Sequence, residues 1–214
     1  PPFQSTSPEP FVLQTVAGQR ASAQLPDGSH VVLAPGSIVR YCARDCDDSR
    51  TVDGDGEAYF TVVEKAAHPF VVHGRHAVVR VLGTQFSVRS YAGDSVESVN
   101  VATGKVSVES ANHSSPVILA ANERAVIDRR GTTHVSYDVD IPRRLAWADG
   151  QLVFSNTPMQ EVVNILSRWY GVDIRVSGAV AAALPLTSSF HGERLEDVLN
   201  AVALATGTTY HREG

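Results

Sequence analysis

The hydrophobic period of this chain changes once, near Asp140, and that change limits the possible folds more than any other feature. Before it, apolar residues recur on a period of two, in runs spaced about 8–12 residues apart. After it, they recur at helical spacing. The stretch Phe70–Ser90 shows the first regime most fully. Phe70–Val72 and Ala77–Leu82 read as strands joined by a His-Gly-Arg turn, and Gly83-Thr84 leads into a third strand, Gln85–Arg89. Alternation in Val79-Arg80-Val81 and Phe86-Ser87-Val88 puts one face toward a core and the other toward solvent. A glycine inside such a run, Gly83, predicts a bulge or a close backbone approach.

The same pattern extends on both sides. Phe11–Val16 starts the set, and Ala21–Leu25 and Val31–Leu33 flank an Asp27-Gly28 turn as a hairpin. Ile38–Tyr41 pairs with Arg50–Val52 across the loop Cys42–Ser49, and Asp53-Gly54-Asp55-Gly56 reads as a polar turn before the run Glu57–Val63. Ser95–Val101, Val106–Glu109, Val117–Leu119 and Arg124–Ile127 complete it, with no strand expected in the polar stretch Asp128–Asp140. Strands at this spacing predict an all-β sandwich, barrel or stacked-turn solenoid.

Beyond Asp140, Thr157-Pro158-Met159-Gln160 has the form of a capping box with proline at the first helical position. Met159, Val162, Val163, Leu166, Trp169 and Tyr170 form an apolar stripe, and Gly171 supplies a left-handed stop. Val172–Val176 reads as a strand. An offset of about 36 residues repeats the pattern: Phe154 maps to Phe190, Met159 to Leu195, Val162 to Val198, Leu166 to Val202 and Gly171 to Gly207. Thr208–His211 then reads as the closing strand. The expectation is a small α+β domain made of a duplicated β-α-β unit. The predicted organisation is a linker at 1–10, a β-rich domain at 11–139, a connector at 140–149 and the α+β domain at 150–214.

The net charge is −5, with no Lys/Arg cluster, which argues against nucleic acid as the main partner. No apolar run approaches the length that spans a bilayer, and the Pro-rich start reads as a linker at the head of an excised piece. Cys42 and Cys46 flank three residues; in a fully extended strand their Cα atoms would lie about 13 Å apart, too far to bridge. They are a disulfide if the chain turns back between them, or two thiols in a hairpin loop.

Chemistry-bearing motifs are sparse. Asp53-Gly-Asp-Gly-Glu has part of a calcium loop but not its later ligands. His68, His73 and His76 are close in sequence yet have no carboxylate or cysteine beside them. No G-x-S-x-G, P-loop, H-E-x-x-H or G-x-G-x-x-G is present. The reading is therefore of a protein that is not an enzyme and needs no cofactor or metal. Trp147 sits at the domain boundary, where it would wedge the two domains together, and Trp169 lies on the helix stripe. Two rival readings are a carbohydrate- or cell-wall-binding β module and a hydrolase whose site assembles across the chain. The first needs exposed aromatic platforms, whereas only 7% of the residues are aromatic, mostly within strand patterns; a structure without a deep polar pocket would disfavour both.

Five ordered motifs carry a family resemblance. They are Leu25–Leu33 (LPDGSHVVL), Gly56–Val62 (GEAYFTV), Pro69–Val72 (PFVV), Val81–Val88 (VLGTQFSV) and Val99–Val108 (VNVATGKVSV). From about Thr15 to Ile127 the chain resembles the periplasmic domain of FecR-family sigma-factor regulators. Leu152–Met159 (LVFSNTPM), Leu186–Phe190 (LTSSF) and the second helix resemble the short N-terminal (STN) domain of secretins and TonB-dependent receptors, with Met159 where that family usually has Leu. The cysteine pair is not part of the family pattern.

The resemblance implies an anti-sigma regulator. A cytoplasmic segment would bind an extracytoplasmic-function sigma factor, one inner-membrane helix would follow, and a periplasmic region like this chain would receive a signal. That signal would come from the N-terminal signalling domain of an outer-membrane TonB-dependent siderophore transducer, and proteolysis would then release the sigma factor. The sigma factor and the membrane would be met only through segments outside this chain. The candidate docking surface is a strand edge that accepts a partner strand: Leu184, Leu186, Ser188 and Phe190, or Thr208, Tyr210 and Arg212. Pro185 would blunt one end of the first edge.

Overall fold

The computed structural model describes residues 11–42, 50–110, 115–137 and 140–212. Strand β5 (Arg50–Thr61) joins its two largest layers. The first half of β5 pairs antiparallel with β4 (Ile38–Cys42) and parallel with β6 (Phe70–His73). Its second half pairs antiparallel with β3 (His30–Leu33) and β8 (Gln85–Ser90). The expected polar turn at Asp53–Gly56 is thus the middle of one long strand. Along one edge the partner changes there, from β6 at Asp53 to β8 at Gly56, and Gly56 (φ 100°) marks the bend. A Cβ there would lie 2.6 Å from Ser37 Cα, so the close approach needs glycine.

After β6 the chain alternates between the layers two strands at a time. β6 and β7 (Ala77–Val81) lie in one layer, and β8 and β9 (Val96–Thr103) in the other. β10 (Lys105–Ser110) and β11 (Val117–Ala120) return to the first, where β10 pairs with β7. β12 (Glu123–Asp128) pairs with β9, and β13 (Thr133–Tyr137) pairs with β12. The remaining strands extend each layer: β1 (Phe11–Gln14) pairs with β4, and β2 (Ala21–Gln24) with β3. The layer changes use constrained residues. Gly83 packs against Glu64, whose Cβ would lie 2.6 Å from an added side chain, as the glycine within that run predicts. Gly104 and Asn122 have positive φ, and the Thr84 hydroxyl donates to the Lys105 carbonyl at 3.0 Å. The layers share one core, in which Phe60 lies 5.6 Å from Phe70 and 5.3 Å from Phe86.

β13 was not expected, since its side chains are almost all exposed and leave no alternating signal. Nor was α1 (Ile141–Leu145), which buries Ile141 and Leu145 and continues as a 3₁₀ turn, Ala146–Asp149.

The C-terminal part has a separate core. β14 (Gln151–Pro158) and β15 (Pro185–His191) form a two-stranded antiparallel sheet, with α2 (Met159–Tyr170) and α4 (Leu195–Thr206) against it and the short α3 (Ala179–Ala183) beside α2. α2 and α4 each have 12 residues, and both end at a left-handed glycine with φ 68°, Gly171 and Gly207. The equivalent residues Phe154 and Phe190 meet edge to face at 6.2 Å. The strand–helix halves of the repeat therefore exist, but the strands expected at Val172–Val176 and Thr208–His211 do not form. Ile174 and Val176 still pack on the core, without a ladder. The expected β-α-β duplication is corrected to two strand–helix units.

The capping box is also absent. Thr157 remains in β14, α2 begins at Met159, and the Met159 amide donates to the Leu184 carbonyl at 2.8 Å. That bond satisfies an amide at the helix start without a side-chain cap.

Candidate functional site

Two places in the molecule invite a partner. The first is the free edge of β15. β14 pairs along its other edge, and among the described residues no strand pairs along the free one. Leu186 and Phe190 point into the small core, whereas Pro185, Thr187, Ser189 and His191 are exposed. Ser188 and Leu184 are half-buried, and Leu184 ends α3. The second predicted edge lies in irregular chain: Thr208 is half-buried, and Tyr210 and Arg212 are exposed. The Tyr210 hydroxyl donates to Asn200 Oδ1 at 2.9 Å. The structure therefore offers one strand edge among these residues, β15. Cys46 lies outside the described residues, as does the Cys42 side chain.

The second place is a cleft of about 500 Å³ between the β-rich layers and the C-terminal part. β14 lines it and β15 does not, so β15 lies on the far side of its sheet. A polar network crosses the cleft. Asp94, in the β8–β9 loop, accepts hydrogen bonds from Arg89 at 2.9 Å and from Arg168 of α2. Both guanidiniums stack on Tyr91, at 5.5 Å for Arg89 and 4.0 Å for Arg168. The Tyr91 hydroxyl donates to the Pro35 carbonyl at 2.9 Å, and burial pushes its pKa up to about 12. Glu57 lies 3.7 Å from Arg89. Burial raises its pKa, and the Arg89 and Arg168 charges only partly offset that.

Backbone contacts fasten the same interface. The Gly18 amide donates to the Arg168 carbonyl at 2.8 Å. Arg20 donates to the Trp147 carbonyl at 3.0 Å and stacks on Trp169 at 5.1 Å. Trp147 is buried in the cleft wall, and its indole N–H has no acceptor. The sequence pointed to this region only through the position of Trp147. The rest of the network joins residues far apart along the chain, from Gly18 to Trp169, whose meeting no single motif announces.

The polar pocket required by both rival readings is therefore present in outline. Its described lining contains no histidine or cysteine, and its tryptophans form walls rather than an exposed platform. The described residues hold no group of three His, Cys, Asp or Glu arranged to bind a metal, and none of their helices is long and apolar enough to cross a membrane.

Residues 11–107 match the family model described as FecR protein, and residues 151–214 match the one described as FecR, C-terminal. Two crystal structures of a candidate anti-sigma factor from Parabacteroides distasonis ATCC 8503 superimpose on the chain with TM-scores of 0.86 and 0.85. In each case 33% of residues are identical, and 95% of both chains is covered. No curated protein matches the chain.

Proposed function

Because this chain belongs to the FecR protein family, we propose that it is the periplasmic signal-receiving region of an anti-sigma regulator. Its partner on this reading is the N-terminal signalling domain of an outer-membrane TonB-dependent siderophore transducer. Docking controls proteolysis of the regulator and release of an extracytoplasmic-function sigma factor. The region works by binding and makes or breaks no bonds itself.

The observation that carries this reading is the unpaired edge of β15 on a sheet of only two strands. An isolated pair of strands is weakly stable, and a third strand adds a full row of main-chain hydrogen bonds. Among the described residues the C-terminal core has ten buried apolar side chains, against twenty-three in the β-rich core. So small a core is marginal. A partner present at a hundred times its Kd would add about 2.7 kcal/mol to whatever state it binds. Occupancy at β15 thus becomes a stability signal that a protease can read.

The test is titration calorimetry of this chain against signalling domains of TonB-dependent transducers from the same genome. Saturable binding by one of them, with a raised unfolding midpoint of the C-terminal part, is expected. Absence of binding by the whole set overturns the assignment of partner.

A further inference from the structure

We propose that the chain forms a twofold dimer in which β13 pairs antiparallel with β13 of a second copy. This surface is separate from the β15 edge, and the proposal does not rest on the partner assigned there.

The β-rich layers end in four strands, β1, β2, β11 and β13. β1 lies against β2, and β11 lies against β12. β13 pairs with β12 alone and so stands one strand beyond that last contact. Its register sets Thr133 opposite Ile127 and Val135 opposite Ala125, two residues of the shared core. Thr133, Val135 and Tyr137 therefore lie on the core-side face of the layer. Yet Val135 is 43% exposed and Tyr137 68%, so the core face of this strand runs out into solvent. Among the described residues, no backbone group of Thr133–Tyr137 bonds outside the ladder with β12. Sheet edges are ordinarily blunted by charge, proline or a bulge. β13 has no Lys, Arg, Asp, Glu or Pro, and its ladder runs without a register shift.

Two features select a second copy as the occupant. Turned end for end about Val135, the strand is its own complement. Val135 meets Val135, the smaller Thr133 meets the larger Tyr137, and His134 meets Ser136. No pair sets like charges opposite, and pairs between β-branched and aromatic side chains are among the favourable ones. Charge at the two ends of the strand agrees. Arg129 and Arg130 precede β13 and are exposed, whereas Glu123 sits opposite Tyr137 at the far end. Antiparallel pairing brings the arginine end of each copy beside the Glu123 end of its mate, twice over. Such a contact closes on itself and leaves β13 no edge for further growth. Five paired residues span only about 17 Å. That is less than a stable interface needs, so the dimer is weak, with a Kd on the order of 100 μM.

Sedimentation equilibrium of the full chain is run from about 10 μM to about 1 mM. A monomer–dimer equilibrium is expected, with no larger species. Val135→Lys and Val135→Glu each set like charges across the twofold axis and should weaken association at least about tenfold. Both should leave the unfolding midpoint in place, because the side chain is already partly in solvent. Mixed in equal amounts, the two variants should associate again, since lysine then faces glutamate. That rescue requires a residue that lies opposite its own copy. Isotope-filtered NMR of mixed labelled and unlabelled parent chain should show contact between Val135 and the partner's Val135, and it decides alone if the variants fail to fold. The proposal is overturned if the parent stays monomeric at about 1 mM, if either folded variant associates as the parent does, or if the mixture shows no rescue. An edge reserved for a different protein would give the first of these results, and dimerisation through another surface the second.

Discussion

The guanidinium of Arg168 stacks 4.0 Å above the ring of Tyr91, so helix α2 of the C-terminal part rests on the β8–β9 loop of the β-rich layers. The same side chain pairs with Asp94, and both partners are mostly buried, at 24% and 12% side-chain exposure. A cation held over an aromatic face and paired with a carboxylate is stronger than an exposed surface pair.

Arg168→Ala is therefore expected to cost about 1–3 kcal/mol. It should also separate a single unfolding transition into two, one for each core. Denaturant unfolding followed by tryptophan emission and far-UV dichroism reads both effects. Arg168→Lys should fall between, since it retains the charge and loses the planar stack. Coincident transitions at the parent midpoint would show that this contact does not couple the cores.

Arg50 is the buried cation of the β-rich part. It donates to Asp27 at 2.8 Å, to the Val63 carbonyl at 2.8 Å and to the His68 carbonyl at 2.8 and 3.1 Å, tying three loops to one strand. Arg50→Met leaves the Asp27 carboxylate buried without its cation, and is expected to cost about 3–5 kcal/mol. Adding Asp27→Asn should return part of that loss, since an amide is cheaper to bury than a bare carboxylate. A double-mutant cycle in urea measures the coupling, and strict additivity would refute it.

Glu97 gives a pH dependence of definite sign. Its side chain fills the space where a Cβ on Gly74 would stand, and it accepts hydrogen bonds from the His76 amide at 2.8 Å and the Ser90 hydroxyl at 3.1 Å. Burial raises its pKa above 4.5, and those hydrogen bonds only partly offset the shift. The folded state thus holds the proton more tightly than the unfolded chain. The stability this contributes is complete below the ordinary carboxylate value and is lost as pH rises through the raised one. Glu97→Gln should therefore gain on the parent as pH increases from acid to neutral, with a constant difference at the acid end. Urea midpoints across that range check it. A difference that is independent of pH, or that runs the other way, would contradict it.

Much of the β-rich part can be read from residues alone. Alternation in Phe70–Ser90 marks three strands because one face of each is buried against a shared core. The 36-residue offset is legible because both units bury matching stripes, down to the Phe154–Phe190 contact. What escaped the reading lacked that signal. β13 exposes nearly every side chain, and Asp53–Gly56 looks like a turn because its partners in β4, β6 and β8 lie far along the chain. Val172–Val176 has strand-like composition, yet it packs by side chains and finds no ladder. The cleft was legible only at Trp147, because arginines and acids acquire their meaning there from pairing across the two cores.

If a partner strand adds to β15, a proline scan of that strand will show it. Outward-pointing amides alternate along an antiparallel strand, so either Ser188 or the pair Thr187 and Ser189 faces the free edge. Thr187→Pro, Ser188→Pro and Ser189→Pro are each assayed for unfolding midpoint and for binding of the transducer signalling domain. Proline at outward amides is expected to leave the midpoint in place and abolish binding, while proline at inward amides loosens the β14–β15 pair. Binding that is unchanged across all three variants would contradict it.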